Sequence, residues 1–184
     1  MSAYNYILDN NRTVFNIQTL SGFDRPNVKD LSKSLNYYVK NGLLLNPRKG
    51  IYAKKNYNKE ELACSVFRPS YISLEYVLGR AGVTYQYSEE ITSVSYLSRT
   101  IEIDGCVYSY RRLKPEILFN RDGIIQNDNI YVAMPERAFL DMLYLSAGLI
   151  YFDNLRPLNK TLIKQLLPIY SSKKLVERAS QLII

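Results

Sequence analysis

The clearest pattern along the chain is a helix near residue 35 that has one apolar face and one cationic face. At 100° per residue, its apolar positions cluster on one side: Leu31, Leu35, Tyr38 and Val39. The lysines cluster on the opposite side, with an asparagine and a tyrosine beside them: Lys29, Lys33, Lys40, Asn36 and Tyr37. The pattern therefore predicts a helix that packs on a core through one face and exposes cations on the other.

Turn-forming residues mark both ends of this helix. The sequence Asp24-Arg25-Pro26-Asn27 predicts a turn, so the helix should begin near Pro26 or Asn27. Asn41-Gly42 predicts its end, because glycine accepts the left-handed conformation that often follows a helix. Two short strands, at 43–45 and 51–53, should then form a hairpin whose loop carries Arg48 and Lys49.

Shorter elements precede the amphipathic helix. The pattern predicts a helix at 4–10, an extended piece at 13–15, and a brief helix at 17–21 that Asn16 caps and Gly22 ends. A short helix, a turn, a longer helix and a hairpin follow the order of a winged helix-turn-helix. We therefore expect a winged helix-turn-helix domain over residues 1–57.

Residues 58–184 predict a mixed α/β domain with a small, mostly antiparallel sheet and C-terminal helices, so that the whole chain is α+β. Asp104-Gly105 is a strong signal for a two-residue hairpin between two of the strands. Strands are expected at 91–97, 100–103, 106–113, 117–119 and 130–133, with a loop at 121–128. Helices are expected at 70–82, 136–146, 160–167 and 172–182.

Charge is unevenly distributed between these two parts. The chain has a net charge of +7, and residues 1–57 hold nine lysines and arginines against three acids. Residues 58–184 are nearly balanced, with fifteen against fourteen. Such asymmetry indicates that the first part meets a polyanion. An anionic membrane surface is less favoured than nucleic acid, because the apolar face of the helix has the form of a core stripe.

Several classes of function lose support. The chain has no histidine, which removes the usual general base and the His-containing metal sites. Cys64 and Cys106 are too few for a disulfide scaffold and badly spaced for zinc. Phosphate-loop and dinucleotide motifs are missing, as are a signal peptide and an apolar run of membrane-spanning length. We expect a cytoplasmic protein with no catalytic residues, no metal, no cofactor and no membrane partner.

The cationic helix and hairpin suggest specific roles toward double-stranded DNA. Lys29, Lys33 and Lys40 should contact phosphates as flexible point charges. In the major groove, Asn27 and Asn36 suit adenine and Arg25 suits guanine. Arg48 and Lys49 should reach a phosphate or the minor groove. Tyr37 is either a hydrogen-bond donor to phosphate or a half-buried aromatic.

The second part of the chain contains two further groups of charged residues. Arg99, Arg111 and Arg112 lie on predicted strands and suggest a second basic surface, although such residues more often keep an edge strand in solution. Arg137 and Asp141 are four residues apart on one helix, next to Glu136 in its first turn. An ion pair within the helix, with Glu136 at its N-terminal end, is the leading interpretation of these charges.

Four segments of the chain carry motifs that can be compared with known families: Leu31–Ala53 with its Arg48-Lys49-Gly50-Ile51-Tyr52 hairpin, Pro69-Ser70-Tyr71-Ile72-Ser73-Leu74-Glu75, Tyr110-Arg111-Arg112-Leu113, and Ala133 to Asp141. Together these four segments resemble the AbiEi-like antitoxins of type IV toxin–antitoxin systems. The last of these is similar to the family's Ala-x-x-Glu-Lys-Ala-x-x-Asp helix, with Arg137 at the position of the lysine. The resemblance covers about residues 13–145, and the tail beyond Asp153 matches no motif of the family.

This resemblance implies a bacterial antitoxin that represses its own operon through inverted repeats in the promoter. It also implies a second domain that neutralises a nucleotidyltransferase-like toxin, with or without a stable complex, and has no catalytic centre of its own. A stand-alone winged-helix transcription factor with a ligand-sensing or protein-interaction domain is the main alternative, and a nuclease or other enzyme is a more distant one. The operator sequence and the oligomeric state stay open at this point.

Overall fold

A computed structural model describes residues 3–24, 27–86, 88–148 and 150–183. Over these ranges the fold is α+β and contains two separate sheets, one of three strands and one of six. The chain divides into two compact units, Met1–Val66 and Phe67–Ile184. Each unit therefore has its own sheet, and we describe them one at a time.

The first unit is built around its three-stranded sheet. Its elements are α1 (Ala3–Asp9), β1 (Val14–Asn16), α2 (Ile17–Asp24), α3 (Val28–Lys40), β2 (Leu45–Arg48), β3 (Ile51–Ala53) and α4 (Lys59–Val66). The strands lie in the order β1-β3-β2, and both pairings are antiparallel. One apolar cluster joins the helices to the sheet: Ile7, Phe15, Leu20, Leu31, Leu35, Leu44 and Tyr52.

The expected hairpin is present, but its first strand begins later than predicted. The backbone amides of Leu43 and Leu44 both donate to the carbonyl of Tyr38, at 2.9 and 3.3 Å. These two residues therefore complete the C-terminal end of α3, where Gly42 takes the predicted left-handed conformation with φ of 65°. Because the backbone amides of residues 43 and 44 bond to the end of α3, they are not available to the sheet, and β2 starts at Leu45.

Two other boundaries in this unit differ from the prediction. Gly22 does not end α2, which continues to Asp24. The unit also extends past residue 57, because α4 belongs to it. Glu61 of α4 accepts hydrogen bonds from the backbone amide and the hydroxyl of Thr13, at 2.8 and 2.6 Å. This contact across 48 residues fixes α4 to the chain just before β1, so the compact unit closes at Val66.

The second unit consists of a six-stranded sheet and helices. Its helices are α5 (Glu75–Arg80), α6 (Pro115–Leu118), α7 (Pro135–Leu145), α8 (Lys160–Leu166) and α9 (Lys173–Ile183), with a 3₁₀ helix at Leu167–Tyr170. Its strands are β4 (Ser70–Ile72), β5 (Ile91–Ser95), β6 (Arg99–Ile103), β7 (Cys106–Arg112), β8 (Ile124–Asn127) and β9 (Ile130–Ala133). The predicted C-terminal helices are therefore present, as are the strands on both sides of Asp104-Gly105.

The sheet of the second unit is mixed. Its strand order is β6-β7-β5-β4-β9-β8. The β4–β9 and β5–β7 pairs are parallel, whereas the β4–β5, β6–β7 and β8–β9 pairs are antiparallel. Antiparallel pairs thus form a narrow majority, and the two parallel pairs lie on either side of the central antiparallel pair, β4–β5.

Three segments of this unit were assigned wrongly from the sequence. Ser70–Ile72 is the strand β4 and not the start of a helix, because it pairs with both β5 and β9 in the middle of the sheet. Residues 117–119 lie in and just after α6, which Pro115 begins at the position that proline favours. Ile124–Asn127 is the edge strand β8, although it was expected to be a loop.

Candidate nucleic-acid interface

The local sequence explains why α3 forms where it does. The side chain of Asn27 caps the helix by accepting a hydrogen bond of 3.1 Å from the backbone amide of Lys29. Asp30 follows in the first turn, where the helix dipole stabilises a carboxylate. Lys40 lies in the last turn, where the dipole stabilises a cation. The helix therefore begins and ends within a residue or two of the predicted positions.

The apolar face of α3 packs on the core of the first unit. Leu31 and Leu35 are buried, at 4% and 0% exposure, and Tyr38 and Val39 pack against the same cluster. The ring of Tyr38 also stacks on that of Tyr4, with 4.0 Å between the centroids and 6° between the planes. The predicted buried stripe is confirmed, and it fixes which side of α3 faces outward.

The outward side of α3 carries the lysines. Lys29, Lys33 and Lys40 are exposed, and so are Asn36 and Tyr37. Lys33 lies 3.6 Å from the carboxylate of Asp30, one turn earlier, but both side chains are mostly in solvent. An ion pair this exposed contributes little, so Lys33 is available to a stronger anion such as a phosphate.

Asn36 and Tyr37 have different contacts within this surface. The side-chain oxygen of Asn36 accepts a hydrogen bond of 3.1 Å from the hydroxyl of Tyr52 on β3. Tyr37 is 64% exposed and meets Tyr38 edge to face. A helix residue and a hairpin residue are therefore joined at the solvent-facing side of α3, a contact that the helical periodicity alone does not reveal.

The β2–β3 hairpin holds the second group of predicted cations. Arg48 pairs with Ile51 across the hairpin, and Lys49 and Gly50 form the turn between them. The side-chain nitrogen of Asn46, Nδ2, donates to the backbone carbonyls of Arg48 and Ile51, at 2.9 and 2.7 Å, and so stabilises the hairpin from within. Lys49 is exposed at the tip, whereas Arg48 is only half-exposed.

The remaining predicted DNA contacts are placed as follows. Asn27 is exposed, but its side-chain oxygen is occupied with the helix cap. Arg25 lies outside the described residues, so its predicted contact with guanine stays a prediction. The described part of the candidate interface therefore consists of a face of α3, made by Lys29, Lys33, Asn36, Tyr37 and Lys40, and a hairpin tip made by Lys49 beside Arg48.

The second basic surface is not assembled as one patch. Arg99 pairs with Tyr110 across β6 and β7, so Arg99 and Arg112 lie on the same face of the sheet. Arg111 lies on the other face, 3.9 Å from the carboxylate of Glu75, and it donates to the carbonyl of Leu145. The alternation along β7 therefore separates Arg111 from the other two arginines.

A cluster of buried polar side chains lies under α7 of the second unit. Arg137 and Asp141 form the expected ion pair, at 3.5 Å, and both side chains are fully buried. Three hydroxyl groups donate to the carboxylate of Asp141: Tyr71 at 3.0 Å, Ser73 at 2.8 Å and Tyr170 at 2.6 Å. The spacing of Arg137 and Asp141 predicted the ion pair, whereas the hydroxyl donors come from distant segments and were not predicted.

The cluster is a structural centre because its members contact one another out of reach of solvent, although among the described residues Arg137 Nε has only the ion pair with Asp141 and no hydrogen bond. The guanidinium of Arg137 also donates to the carbonyls of Ile117 and Asp122, at 2.8 and 3.1 Å. Burial raises the pKa of Tyr71 and of Tyr170 well above the usual value, and the nearby Asp141 carboxylate adds to the effect. Both phenols are therefore held in the protonated form that donates to Asp141.

Glu136 is placed differently from its neighbours. It is buried in the first turn of α7, and its Oε1 accepts a hydrogen bond of 2.8 Å from the backbone amide of Asn159. Asn159 in turn caps α8 by accepting from the amides of Thr161 and Leu162. Glu136 therefore joins the start of α7 to the start of α8, in addition to its favourable place at a helix N-terminus.

Comparison with known proteins adds no relative: no protein-family model matches the chain, and no curated protein matches its sequence significantly. Among the described residues, none of the helices has the length and apolar character needed to cross a membrane.

Proposed function

We propose that the first unit binds double-stranded DNA as a winged helix-turn-helix, with α3 as the recognition helix and the β2–β3 hairpin as the wing. The observation that carries this proposal is the division of α3 into two faces. Leu31 and Leu35 are buried, whereas Lys29, Lys33 and Lys40 are exposed on the other side. A helix that is anchored from behind and cationic in front suits the major groove, whose walls are phosphates.

The order of elements supports the same proposal. A helix, a strand, two helices and a hairpin follow one another along the first unit, and β1 completes the sheet of the hairpin by pairing with β3. The hairpin tip brings Lys49 to an exposed turn, where it can contact the backbone beside the groove that α3 enters. The surplus of positive charge in residues 1–57 adds a long-range attraction to DNA.

For the whole chain, we propose an antitoxin that represses its own operon and neutralises a nucleotidyltransferase-like toxin in the bacterial cytoplasm. Support for the toxin comes from the resemblance of the motifs to AbiEi-like antitoxins, including the helix of Glu136, Arg137 and Asp141. These three side chains are buried and engaged in contacts within the protein. Such an arrangement favours a scaffold for protein interaction, so we propose a non-enzymatic role for the second unit.

DNA binding is tested by titrating the full chain onto the DNA upstream of its own gene, at 50 and 200 mM salt, with a shuffled sequence of equal length as the control. If Lys29, Lys33, Lys40 and Lys49 each contact a phosphate, the affinity should fall roughly a hundredfold between the two salt concentrations. Preference for the upstream sequence supports a repressor. Equal, weak and salt-insensitive binding to both sequences would contradict the proposal.

The antitoxin role is tested by co-expression with the product of the neighbouring gene. Growth should be restored if that product is a nucleotidyltransferase-like toxin, and it should also be restored by a Lys33→Glu variant if neutralisation resides in the second unit. Absence of such a gene, together with specific DNA binding, would favour the stand-alone transcription factor. Metal-dependent cleavage of DNA by the purified chain would favour an enzyme instead.

A further inference from the structure

A chain of three polar side chains runs from the core of the first unit to the exposed face of α3. Tyr52 lies on β3, the middle strand of the three-stranded sheet, and is only 2% exposed. Its hydroxyl lies 3.4 Å from the hydroxyl of Ser32 and donates to the side-chain oxygen of Asn36 at 3.1 Å. Ser32 and Asn36 are one helical turn apart, so the tyrosine hydroxyl lies between two successive turns of α3.

The direction of these hydrogen bonds is determined by the number of hydrogens. A phenol has one hydrogen, and Tyr52 uses it toward Asn36. The hydroxyl of Ser32 must therefore be the donor in its contact with Tyr52. Each bond polarises the next, which strengthens the bond that reaches Asn36.

This chain fixes the side-chain amide of Asn36. The terminal torsion of an asparagine is broad and its two ends are nearly alike in shape, so an exposed amide normally samples both orientations. With its oxygen held by Tyr52, the amide keeps its oxygen toward the protein. Its NH₂ group, on the other branch of the planar amide, is then the end presented away from Tyr52.

We propose that Tyr52 is a positioning residue for base recognition by Asn36. The ligand chemistry follows from the fixed amide: its NH₂ group should donate to an acceptor on the major-groove edge, with the N7 atom of a purine as the principal partner. The oxygen keeps a second lone pair, which adenine can use through its N6 amino group. This inference rests on the proposed DNA-binding function and deepens it, because it names the residue that sets sequence discrimination.

Packing alone does not explain the hydroxyl of Tyr52. The ring belongs to the apolar cluster of the first unit, where phenylalanine would fill the same space. A buried hydroxyl needs a partner, and the one that accepts the hydrogen of Tyr52 is an exposed side chain, Asn36, which lies between two lysines of the proposed interface, Lys33 and Lys40. The hydroxyl of Tyr52 thus serves to order the exposed side-chain amide of Asn36.

The experiment measures discrimination at single operator positions. Wild type, Asn36→Ala, Tyr52→Phe and the double variant are titrated onto the upstream operator and onto operators with one base pair changed. For Asn36→Ala, the ratio of affinities for the original and the changed base pair should fall about tenfold at one operator position. Tyr52→Phe should lose roughly threefold or more at that same position, and the double variant should lose no more than Asn36→Ala alone. Affinity for shuffled DNA and the dependence on salt should be unchanged in all of them.

Two further variants keep the test decisive. Tyr38→Phe removes a tyrosine hydroxyl on α3 that lies outside the Ser32–Tyr52–Asn36 chain, and it should leave discrimination as in wild type. Ser32→Ala removes the distal member of the chain without touching the core ring, and it should reduce discrimination at the Asn36 position by a smaller factor. If Tyr52→Phe were unfolded, as shown by loss of its helical circular dichroism, Ser32→Ala alone would decide the question.

The outcomes separate the inference from the function on which it rests. Wild-type discrimination in folded Tyr52→Phe, or losses that add in the double variant, would overturn the positioning role while leaving DNA binding intact. If wild type itself showed no preference for its operator, the proposed function would fail, and the role of Tyr52 would fail with it.

Discussion

Arg137 and Asp141 lie one turn apart on α7, with 3.5 Å between Nε and Oδ1, and neither side chain is exposed to solvent. Two opposite charges in a protein interior are tolerated only when their other polar atoms are satisfied. Here the carboxylate receives three hydroxyl donors, and the guanidinium donates to two backbone carbonyls, so that within the described part of the chain only Arg137 Nε of the pair lacks a hydrogen bond. The pair is therefore the centre of a network that joins β4, α6, α7 and the 3₁₀ helix.

Removal of one partner should be costly. Arg137→Ala leaves the Asp141 carboxylate buried without its counter-charge, and we expect the free energy of unfolding to fall by about 3–5 kcal/mol. Urea denaturation followed by circular dichroism measures this change. Arg156→Ala removes an arginine from an exposed loop and should cost about 0.5 kcal/mol or less. Equal costs for the two variants would contradict the network.

The buried tyrosines should make the second unit sensitive to alkali. The pKa of Tyr170 is raised in the folded chain by burial and by Asp141, whereas in the unfolded chain it is about 10. Above that pH the unfolded state loses its proton first, so stability is fully present below pH 10 and falls as the pH rises further. Tyr170→Phe removes this contribution. Above pH 10 its unfolding free energy should fall with pH less steeply than that of the wild type, and the two slopes should differ by up to about 1.4 kcal/mol per pH unit.

The control for this measurement is Tyr151→Phe. Tyr151 is 84% exposed, and its replacement should leave the pH dependence of the wild type unchanged above pH 10. Unfolding free energies from urea denaturation at several pH values between 8 and 11.5 give the slopes. If Tyr170→Phe and wild type had the same slope, burial of the phenol would not be the cause of the alkaline instability.

The sequence predicted elements whose signals are local. The periodicity of Leu31 and Leu35, the cap at Asn27 and the glycine at residue 42 together gave the position of α3 to within a residue or two. Asp104-Gly105 likewise located the β6–β7 hairpin. In each case the residues that specify the element are inside it or next to it, so one window of sequence was sufficient.

Prediction from the sequence failed where contacts with distant segments determine the local structure. Ser70–Ile72 is a strand because β5 and β9, some twenty and sixty residues away, pair with it on both sides. The hydroxyl of Tyr52 finds Asn36 because the fold brings β3 against α3, across sixteen residues. The one signal for this contact was a tyrosine in an apolar strand, whose hydroxyl would need a partner once buried. For the same reason Tyr71 and Tyr170 were not connected with Asp141 in advance.

Gly123 should resist substitution because of where it lies. Its φ is 73°, and a Cβ atom there would be 3.0 Å from Leu166 and 3.1 Å from the Cβ of Arg137. Gly123→Ala combines an unfavourable conformation, worth about 1–2 kcal/mol, with crowding beside the buried network. We expect a loss of unfolding free energy of at least that size in urea denaturation. Gly148→Ala, where no described atom lies within 4 Å of the added Cβ, should change it by much less.

If the lysine face of α3 contacts DNA, reversing one charge on that face should weaken binding. Lys33→Glu and Lys174→Glu make the same change in net charge, but Lys33 lies on α3 and Lys174 is an exposed residue of α9. Each variant is titrated against wild type onto the upstream operator at two salt concentrations. We expect at least a tenfold loss of affinity and a shallower salt dependence for Lys33→Glu, with a much smaller effect for Lys174→Glu. Equal binding by Lys33→Glu and wild type, or equal losses in both variants, would contradict the proposed contact of α3 with DNA.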